Sequence, residues 1–575
     1  MPARRVIVLK FGGSVLASPE SLALAVHEIY RWRRDGWSVL AVVSAFNGET
    51  DALLGEAIER GSGACRHVLA AAVGQGELRS ASQLGLLLER SGVPASVVNP
   101  GAIGLRATGD PLDADPCTVN TAGLLNLFDE DRVVVCPGFI TTDASGRWML
   151  LGRGGSDLTA LFLTAELRDG LEIKARCRLI KDVDGLYDSD PKAGPVLPDR
   201  YASASWDDAL ARDGSIIQHK AIAFAKSRGL AFEMGCLGGT RPTRIGPGPL
   251  AVTPPEPSPP VRIALLGLGV VGTGVYEHLS RLPEVRFCAI AVRTLNRQRD
   301  ASVHQELLTT DPINAATSGA DLVIETMGGT DEAYRAVKAA LEIGSHVVTA
   351  NKALIAEQGQ ELRDLARASG VTLRCSASVG GSVPVLERIG ARPDDRVARV
   401  RGVLNGTCNF ILDRLARGEG LAESIAEAQC LGYAEQDPTR DLVGLDAADK
   451  LRVLSATAGL PSLREQDIAR DPINADTPEL VARAAKAGRV VRQVATLDLT
   501  GARALARVSL ETLAPDDPLF GVSGDRNAAI IEWRCGEREF VSGRGAGRYP
   551  TAESVVADVF ELIRARNALH EEVAV

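Results

Sequence analysis

The apolar and polar positions fall into two stretches with one rhythm. Upstream, short β-rich runs, VIVLK (6–10), VLAVVSA (39–45), VVVCPGFI (133–140) and RLIKDVDG (178–185), are separated by segments of helical period such as SLALAVHEIYRWRRDG (21–36) and DLTALFLTAELRDG (157–170). Downstream, VRIALLG (261–267), FCAIAVR (287–293), DLVIETMG (321–328) and HVVTANK (346–352) punctuate helices in the same way. Both alternations predict α/β domains, the first a sandwich around a largely parallel sheet, the second a doubly wound sheet of the Rossmann type. After about residue 375 the pattern turns mixed, as expected of an α+β substrate-binding domain appended to a Rossmann fold. Between the stretches, PPEPSPP (254–260) favours extended polyproline geometry and reads as a semi-rigid spacer. The expected organisation is 1–245, a linker 246–260, a dinucleotide-binding domain 261–375 for which 540–575 is a candidate completion, and a catalytic domain 376–540. No internal repeat relates the halves.

Length agrees with several cores: 575 residues exceed what one hydrophobic core organises. A net charge of -9 argues against nucleic acid or an anionic membrane as the main partner, since neither attracts a net-negative chain. The 10 cysteines include no C-x-x-C pair and no Cys/His cluster at zinc spacing, which suits reduced thiols. The start, MPARRVIVLKFGG, passes from two arginines into a strand without an apolar run for a signal peptide or membrane span. A cytoplasmic protein is expected.

Two glycine turns carry the chemistry of the first half. In VIVLKFGGSV, Lys10 ends a strand and Gly12, Gly13 and Ser14 follow; glycine amides close around phosphate oxygens, and a neighbouring ammonium neutralises charge that moves in transfer. This is not the P-loop, whose lysine follows its glycines. In LLGRGGSDLTALFL, Arg153, Gly154, Gly155, Ser156 and Asp157 precede an apolar helix, so amides, a guanidinium and a carboxylate converge at a helix N-terminus. A capped helix accounts for Ser156 or Asp157 but for neither Arg153 nor both glycines.

With VVSAFNGETDALL, GQGELRS, PGFITTDASGRWMLLGRGGSDLTA and KDVDGLYDSDP added, residues 4 to about 245 resemble the aspartate kinases of the amino-acid kinase family. The resemblance implies transfer of the γ-phosphate of ATP, with Mg2+, to the β-carboxylate of aspartate. It implies that Lys10, Gly12, Gly13 and Ser14 hold the transferring phosphate, with Gly154, Gly155 and Ser156 at the second turn and Asp157 organising the group. It also implies that Ser44, Glu77 and Arg153 bind aspartate, Glu77 at the ammonium and Arg153 at a carboxylate. Lys181, Asp184 and Tyr187 line the nucleotide pocket. The chain departs from the pattern at Lys181, where Thr or Ser is common, and at Ile216, where a lysine often stands; Lys220 is a candidate substitute.

In the second half, Gly267, Gly269 and Gly272, with Val270 and Val271 opening a helix, have the G-x-G-x-x-G spacing between strand and helix that cradles a pyrophosphate. AIAVRT offers Arg293 where an NAD site shows an acid; it reads either as a partner for the 2′-phosphate of NADP or as a solvated arginine. Asp446 and Lys450 stand four apart in LVGLDAADKLRVL, on one face of a largely apolar helix, where charge points to function.

VVTANKALIA, CSASVGGSVPVL, RGVLNGTCNFIL, AEAQCLGYAEQDPTRDLVGLDAADK and SGRGAGRYPTAESVVAD together resemble homoserine dehydrogenases over residues 261 to about 570. The resemblance implies reduction of aspartate semialdehyde to homoserine with NADP(H) preferred over NAD(H). Lys450 and Lys352 become the candidates for proton delivery and carbonyl polarisation, Glu435 and Asp446 for holding the substrate, and Lys352 and Gly545 for touching the cofactor. Backbone carbonyls of Val379, Gly381 and Val383 are implied for a monovalent cation, although Ser376 replaces the glutamate often found there. Cys408 reads as packing, not as a thiol nucleophile. The whole resembles enzymes that join the two activities, with a dimer or higher homo-oligomer expected and no ACT domain, hence no ACT-mediated feedback by threonine or lysine. The alternatives left by the sequence are a kinase-like module that only binds or assembles, and a kinase acting on another amino acid such as glutamate.

Overall fold

The computed structural model describes residues 4–573 apart from 18, 62, 170–172, 192–197, 213–215, 240, 254–258, 283, 296–302, 393–394, 458–462, 502 and 546. Most of the expected proline spacer therefore lies outside the described residues. The chain divides into two compact units, residues 1–90 with 94–257, and 91–93 with 258–575.

The first unit is built on a ten-stranded sheet. Strands Ser38–Val43, Arg4–Phe11 and Ile173–Lys181 lie side by side and parallel at its middle, with Val133–Pro137 and Ala95–Val97 extending one flank and Phe232–Cys236 beginning the other. Val6–Leu9, Val39–Val43 and Val133–Pro137 are apolar and buried, as parallel strands covered on both faces are, whereas Ile173–Lys181 carries Lys174, Arg176 and Arg178 among its apolar residues. Helix Gly155–Asp169, apolar around its circumference, is buried along nearly its whole length, and Leu158, Leu161, Phe162 and Leu163 join the core below the sheet. The run VVVCPGFI does not form one strand. It leaves the sheet after Pro137, turns at Gly138 and enters a second, four-stranded sheet at Ile140–Thr142. The turn needs a glycine: a Cβ at 138 would lie 2.7 Å from that of Ser156. Phe139, left-handed at φ 65°, completes the corner. The chain so diverted passes against the helix start, Gly138 beside Ser156 and Phe139 beside Gly155.

The second unit begins with a six-stranded, wholly parallel sheet whose central strands, Val285–Ala291, Val261–Leu266, Leu322–Glu325 and His346–Thr349, are the four apolar runs of the sequence. Helix Val270–Leu279 leaves the first glycine turn and is covered by the distant helix Arg548–Val573: Arg548 pairs with Glu277 at 2.8 Å, His278 meets Glu553 at 3.2 Å, and Gly274 faces Ala552. Residues 397–544 supply a second, largely antiparallel six-stranded sheet. Helix Leu445–Thr457 packs into the core beneath it through Ala447, Ala448, Leu451 and Leu454. No helix among the described residues is long and apolar enough to cross a membrane.

Candidate active sites

In the first unit, Lys10 ends its strand almost fully buried, and its ammonium lies 2.7 Å from Asp157 Oδ1. Lys181, at the end of the neighbouring strand, lies 2.7 Å from the other oxygen, Oδ2. Asp157 is thus clamped between two lysines in the first turn of a buried helix, where the macrodipole also favours negative charge. Burial alone would raise its pKa; the charges of Lys10 and Lys181 overcome this and hold it below the ordinary range. Lys10 is pushed down to about 8, by burial first, with Asp157 opposing and Lys181 assisting. A Cβ on Gly12 would sit 3.5 Å from Lys10 Nζ and 3.9 Å from Ser14 Oγ, so both groups border one spot above the turn.

Around this clamp, Ser44 donates to Ser156 at 2.8 Å. Glu77, 2 % exposed, accepts the Ala45 amide at 3.3 Å and leaves Oε2 without a hydrogen-bond partner among the described residues. Burial pushes it up to about 7, against the pull of that amide. Arg153 stands exposed between Gly152 and Gly154, making no ion pair among the described residues, and Ser14 is also exposed. Tyr187 donates to Asp184 at 2.5 Å and Arg200 pairs with the same carboxylate at 3.2 Å, a second polar cluster beside the KDVDGLY turn. The ammonium of Lys220, the candidate substitute for the missing lysine, is held by Asp113 at 2.7 Å, Asp115 at 3.2 Å and the Leu151 carbonyl at 3.3 Å. Ile216 packs against the core.

In the second unit the three glycines of the turn play distinct parts. A Cβ on Gly267 would strike Thr326 and Met327 at 2.9–3.0 Å, and one on Gly272 would lie 2.0 Å from the Gly267 carbonyl, so these two let strand, helix and neighbouring loop close together. A Cβ on Gly269 would meet nothing within 4 Å among the described residues. That open place at the start of helix Val270–Leu279, where Val270 is exposed and Val271 half-buried, fits a pyrophosphate resting on free amides. Arg293 is exposed just beyond the second strand.

The same unit holds a second clamp. Asp446 pairs with Lys352, the first residue of helix Lys352–Ala368, through one oxygen, and with Lys450, one turn along its own helix, at 2.8 Å through the other. Burial opposes ionisation of Asp446, but the Lys450 and Lys352 charges hold its carboxyl well below the ordinary range. Lys450 also donates to the Leu404 carbonyl. The structure adds two groups that the sequence reading passed over. Asn405 bonds both Asp446, at 2.9 Å, and Asp441, at 2.7 Å. Burial pushes Asp441 up, the Asn405 bond pulls it back, and the Asp446 charge adds to the rise. Asn405 reads in sequence as a helix cap, which it is, and Asp441 as one acid among several in DPTRDLVGLD. Glu435 is exposed and outside this cluster, its carboxylate making no ion pair among the described residues.

Gly545 packs so tightly on Asn527 that no side chain would fit. In the segment considered for a cation, Val379 and Val383 are buried, Gly381 is left-handed at φ 59°, and the Val383 carbonyl already accepts the Val385 amide. Ser376 gives its hydroxyl, at 2.8 Å, and its amide, at 3.1 Å, to Asp558, so helix Arg548–Val573 brings a buried carboxylate to the position that lacks one in sequence. Cys408 is buried, donates to the Asp441 carbonyl at 3.1 Å and has its pKa raised well above the ordinary value by burial, the state of a packed thiol and not of a thiolate nucleophile.

Comparison with known proteins sorts the two halves. The model of the amino acid kinase family matches residues 5–230, that of the homoserine dehydrogenase NAD binding domain 267–376, and that of homoserine dehydrogenase 384–560. A homoserine dehydrogenase of Synechocystis sp. is 36% identical over 318 residues, 53% of this chain and 73% of that protein. One of Corynebacterium glutamicum is 37% identical over 333 residues, 55% of this chain and 74% of that one. The crystal structure of a homoserine dehydrogenase from Thiobacillus denitrificans superposes with a TM-score of 0.50 at 33% identity, covering 54% of this chain and 74% of that one.

Proposed function

The chain belongs to the homoserine dehydrogenase family and carries an amino acid kinase domain ahead of that homology, and on this footing we propose that it phosphorylates L-aspartate at its β-carboxylate with ATP and reduces L-aspartate 4-semialdehyde to L-homoserine with NADPH. One observation carries the reading: each unit gathers an aspartate between two lysines, the buried Asp157 between Lys10 and Lys181 and the half-buried Asp446 between Lys352 and Lys450.

In the kinase unit, catalysis needs positive charge on the transferring group more than covalent help. Lys10 and Lys181 share the single charge of Asp157 at rest, which leaves the cluster net positive, and present their ammoniums to phosphate oxygens as these arrive. Lys181 thereby takes the part of the lysine missing at Ile216. Glu77 receives the substrate ammonium, with Ser44 beside it, and Arg153 takes a carboxylate. ATP brings Mg2+ on its phosphates; among the described residues no group of three or more His, Cys, Asp or Glu side chains is set to hold a metal.

In the dehydrogenase unit, NADPH resting on the Gly267–Gly272 turn supplies the hydride, and Arg293 at the end of the second strand favours its 2′-phosphate. Lys352 polarises the aldehyde oxygen and Lys450 gives it a proton, which returns from solvent after product leaves. Asp446, Asp441 and the exposed Glu435 present carboxylates to the substrate ammonium.

Glu77 and Lys10 set the pH behaviour of the kinase. Glu77 must be ionised to hold an ammonium, and its pKa of about 7 predicts that kcat/KM for aspartate falls as pH drops through that value. Lys10 must be protonated to hold phosphate, and its pKa of about 8 predicts that kcat/KM for ATP falls as pH rises through that value. The resulting bell is narrow, and Glu77→Gln removes its acid limb; an acid limb near the free carboxylate value would contradict the assignment of Glu77.

The whole reading is tested by ADP release with aspartate or glutamate, hydroxylamine trapping of the acyl phosphate, and NADPH oxidation by the semialdehyde, in one purified chain. Aspartate-dependent turnover with intact reduction supports both activities. Reduction without ADP release limits the first unit to binding or assembly, and turnover with glutamate alone moves it to another substrate.

A further inference from the structure

Glu325 ends the strand Leu322–Glu325 at the carboxyl edge of the parallel sheet, where ligands of such sheets lie. Its side chain is 0 % exposed, and no lysine, arginine or histidine pairs with it among the described residues. A carboxyl buried without a cation costs stability unless hydrogen bonds replace its water, and here they do so in a particular pattern. Oε1 accepts the amides of Met327 at 2.7 Å and Gly328 at 3.4 Å; Oε2 accepts the Thr349 hydroxyl at 2.5 Å. Thr349 Oγ1 in turn accepts the Asn351 amide at 3.0 Å. Asn351 donates to the Gly329 carbonyl at 2.6 Å and caps, through the Leu354 amide at 3.1 Å, the helix whose first residue is Lys352. On the other side, Thr326 donates to the Gly267 carbonyl at 2.9 Å.

We infer that Glu325 is a positioning residue that ties the loop beside the cofactor turn to the placement of Lys352. One oxygen fixes the loop 326–329 against the Gly267 turn; the other fixes, through Thr349 and Asn351, the helix start that carries the ammonium paired with Asp446. Gly328 and Gly329 are both left-handed, at φ 74° and 76°, and bear no side chain to anchor them; the carboxyl, at the Gly328 amide, and Asn351, at the Gly329 carbonyl, supply a constraint. The inference rests on Lys352 acting in carbonyl reduction.

Three variants separate the two arms. Thr349→Val keeps the β-branched shape and breaks only the arm to Lys352; kcat is expected to fall roughly ten- to hundred-fold, the loss that an ångström of misplacement brings, while KM for NADPH stays within about twofold. Glu325→Ala breaks both arms and raises the NADPH KM as well. Glu325→Gln retains an oxygen for the Met327 amide and recovers the KM, but reverses the bond to Thr349 and leaves kcat low. In all three the kinetic isotope effect on kcat with 4-deuterated NADPH increases, because the hydride step has slowed. If the folded variants, counted by cofactor titration, turn over at the parent rate and KM, Glu325 only stabilises the fold and the inference falls. Lys352→Met is the control: reduction unaffected by its loss overturns the role given to Lys352, whereas Lys352→Met crippled beside an unaltered Thr349→Val overturns the link through Glu325 alone.

Discussion

In the Lys450→Met chain, reduction of aspartate 4-semialdehyde is expected to fall by about 10²- to 10⁴-fold in kcat, the usual contribution of a positioned general acid, while aspartate-dependent ADP release keeps the parent rate. The geometry separates this loss from misfolding. Lys450 is 8 % exposed, and methionine fills much of the same volume without a charge. Asp446 keeps Lys352 and the Asn405 amide as partners, so no buried carboxylate is stranded, the situation that costs about 3–5 kcal/mol when a buried pair is broken. The cluster goes from two lysines against one aspartate to one against one. An assay of NADPH oxidation at saturating semialdehyde, with the thermal midpoint of each variant, checks both halves of the expectation; activity within a few-fold of the parent would remove Lys450 from proton delivery.

Lys10→Met should abolish the other activity with the same economy. Phosphoryl transfer loses one of two ammoniums that face the migrating charge, and a fall of at least about 10²- to 10³-fold in aspartate-dependent ADP release is expected, with homoserine oxidation unchanged. Asp157 remains paired with Lys181 at 2.7 Å, so the buried site passes from a net positive cluster to a neutral pair. Asp157→Asn does the opposite: two ammoniums are left facing an amide, Lys10 loses the charge that opposes its desolvation, and the basic limb of the pH profile moves down from about 8. If Lys10→Met transfers phosphate at the parent rate, the clamp is structural.

The sequence made the fold class legible because most central strands of both sheets carry an apolar run, VIVL, VLAVV and VVV in the first and IALL, CAIA and LVI in the second, and such runs have few other uses. It made the clamps partly legible for a related reason. Lys10, Lys181 and Asp157 each interrupt apolar sequence at the boundary of an element, and Asp446 and Lys450 share a helix face, where a charge is costly unless something answers it. What answers each charge was not legible. That Lys181 and Lys10 grip opposite oxygens of one carboxylate depends on the parallel register Lys10↔Leu179, which places both strand ends at the same edge. That Lys220 serves Asp113 depends on how a separate four-stranded sheet folds over. The split of VVVCPGFI followed from Pro137 and Gly138, residues that punctuate strands, yet a run of β-branched residues before them and an isoleucine after them read as continuous. Asn405, Asp441 and Glu325 carry no local mark of function, since a cap, a loop acid and a strand terminus look ordinary until their partners are in place.

Helix Arg548–Val573 covers the helix that follows the cofactor turn, and its Arg548 meets Glu277 across 271 positions of sequence. Seen from the ribosome, this is a matter of timing. Synthesis proceeds at about 5–20 residues per second, so the turn at 267–272 emerges on the order of tens of seconds before the segment that shields its helix. The kinase unit holds its core within residues 1–257 and can close during that interval. The nascent dehydrogenase waits with Gly274 uncovered and with Glu277 and His278 lacking the partners that this helix brings them, which makes this stretch of translation the period when a chaperone has most to offer the chain.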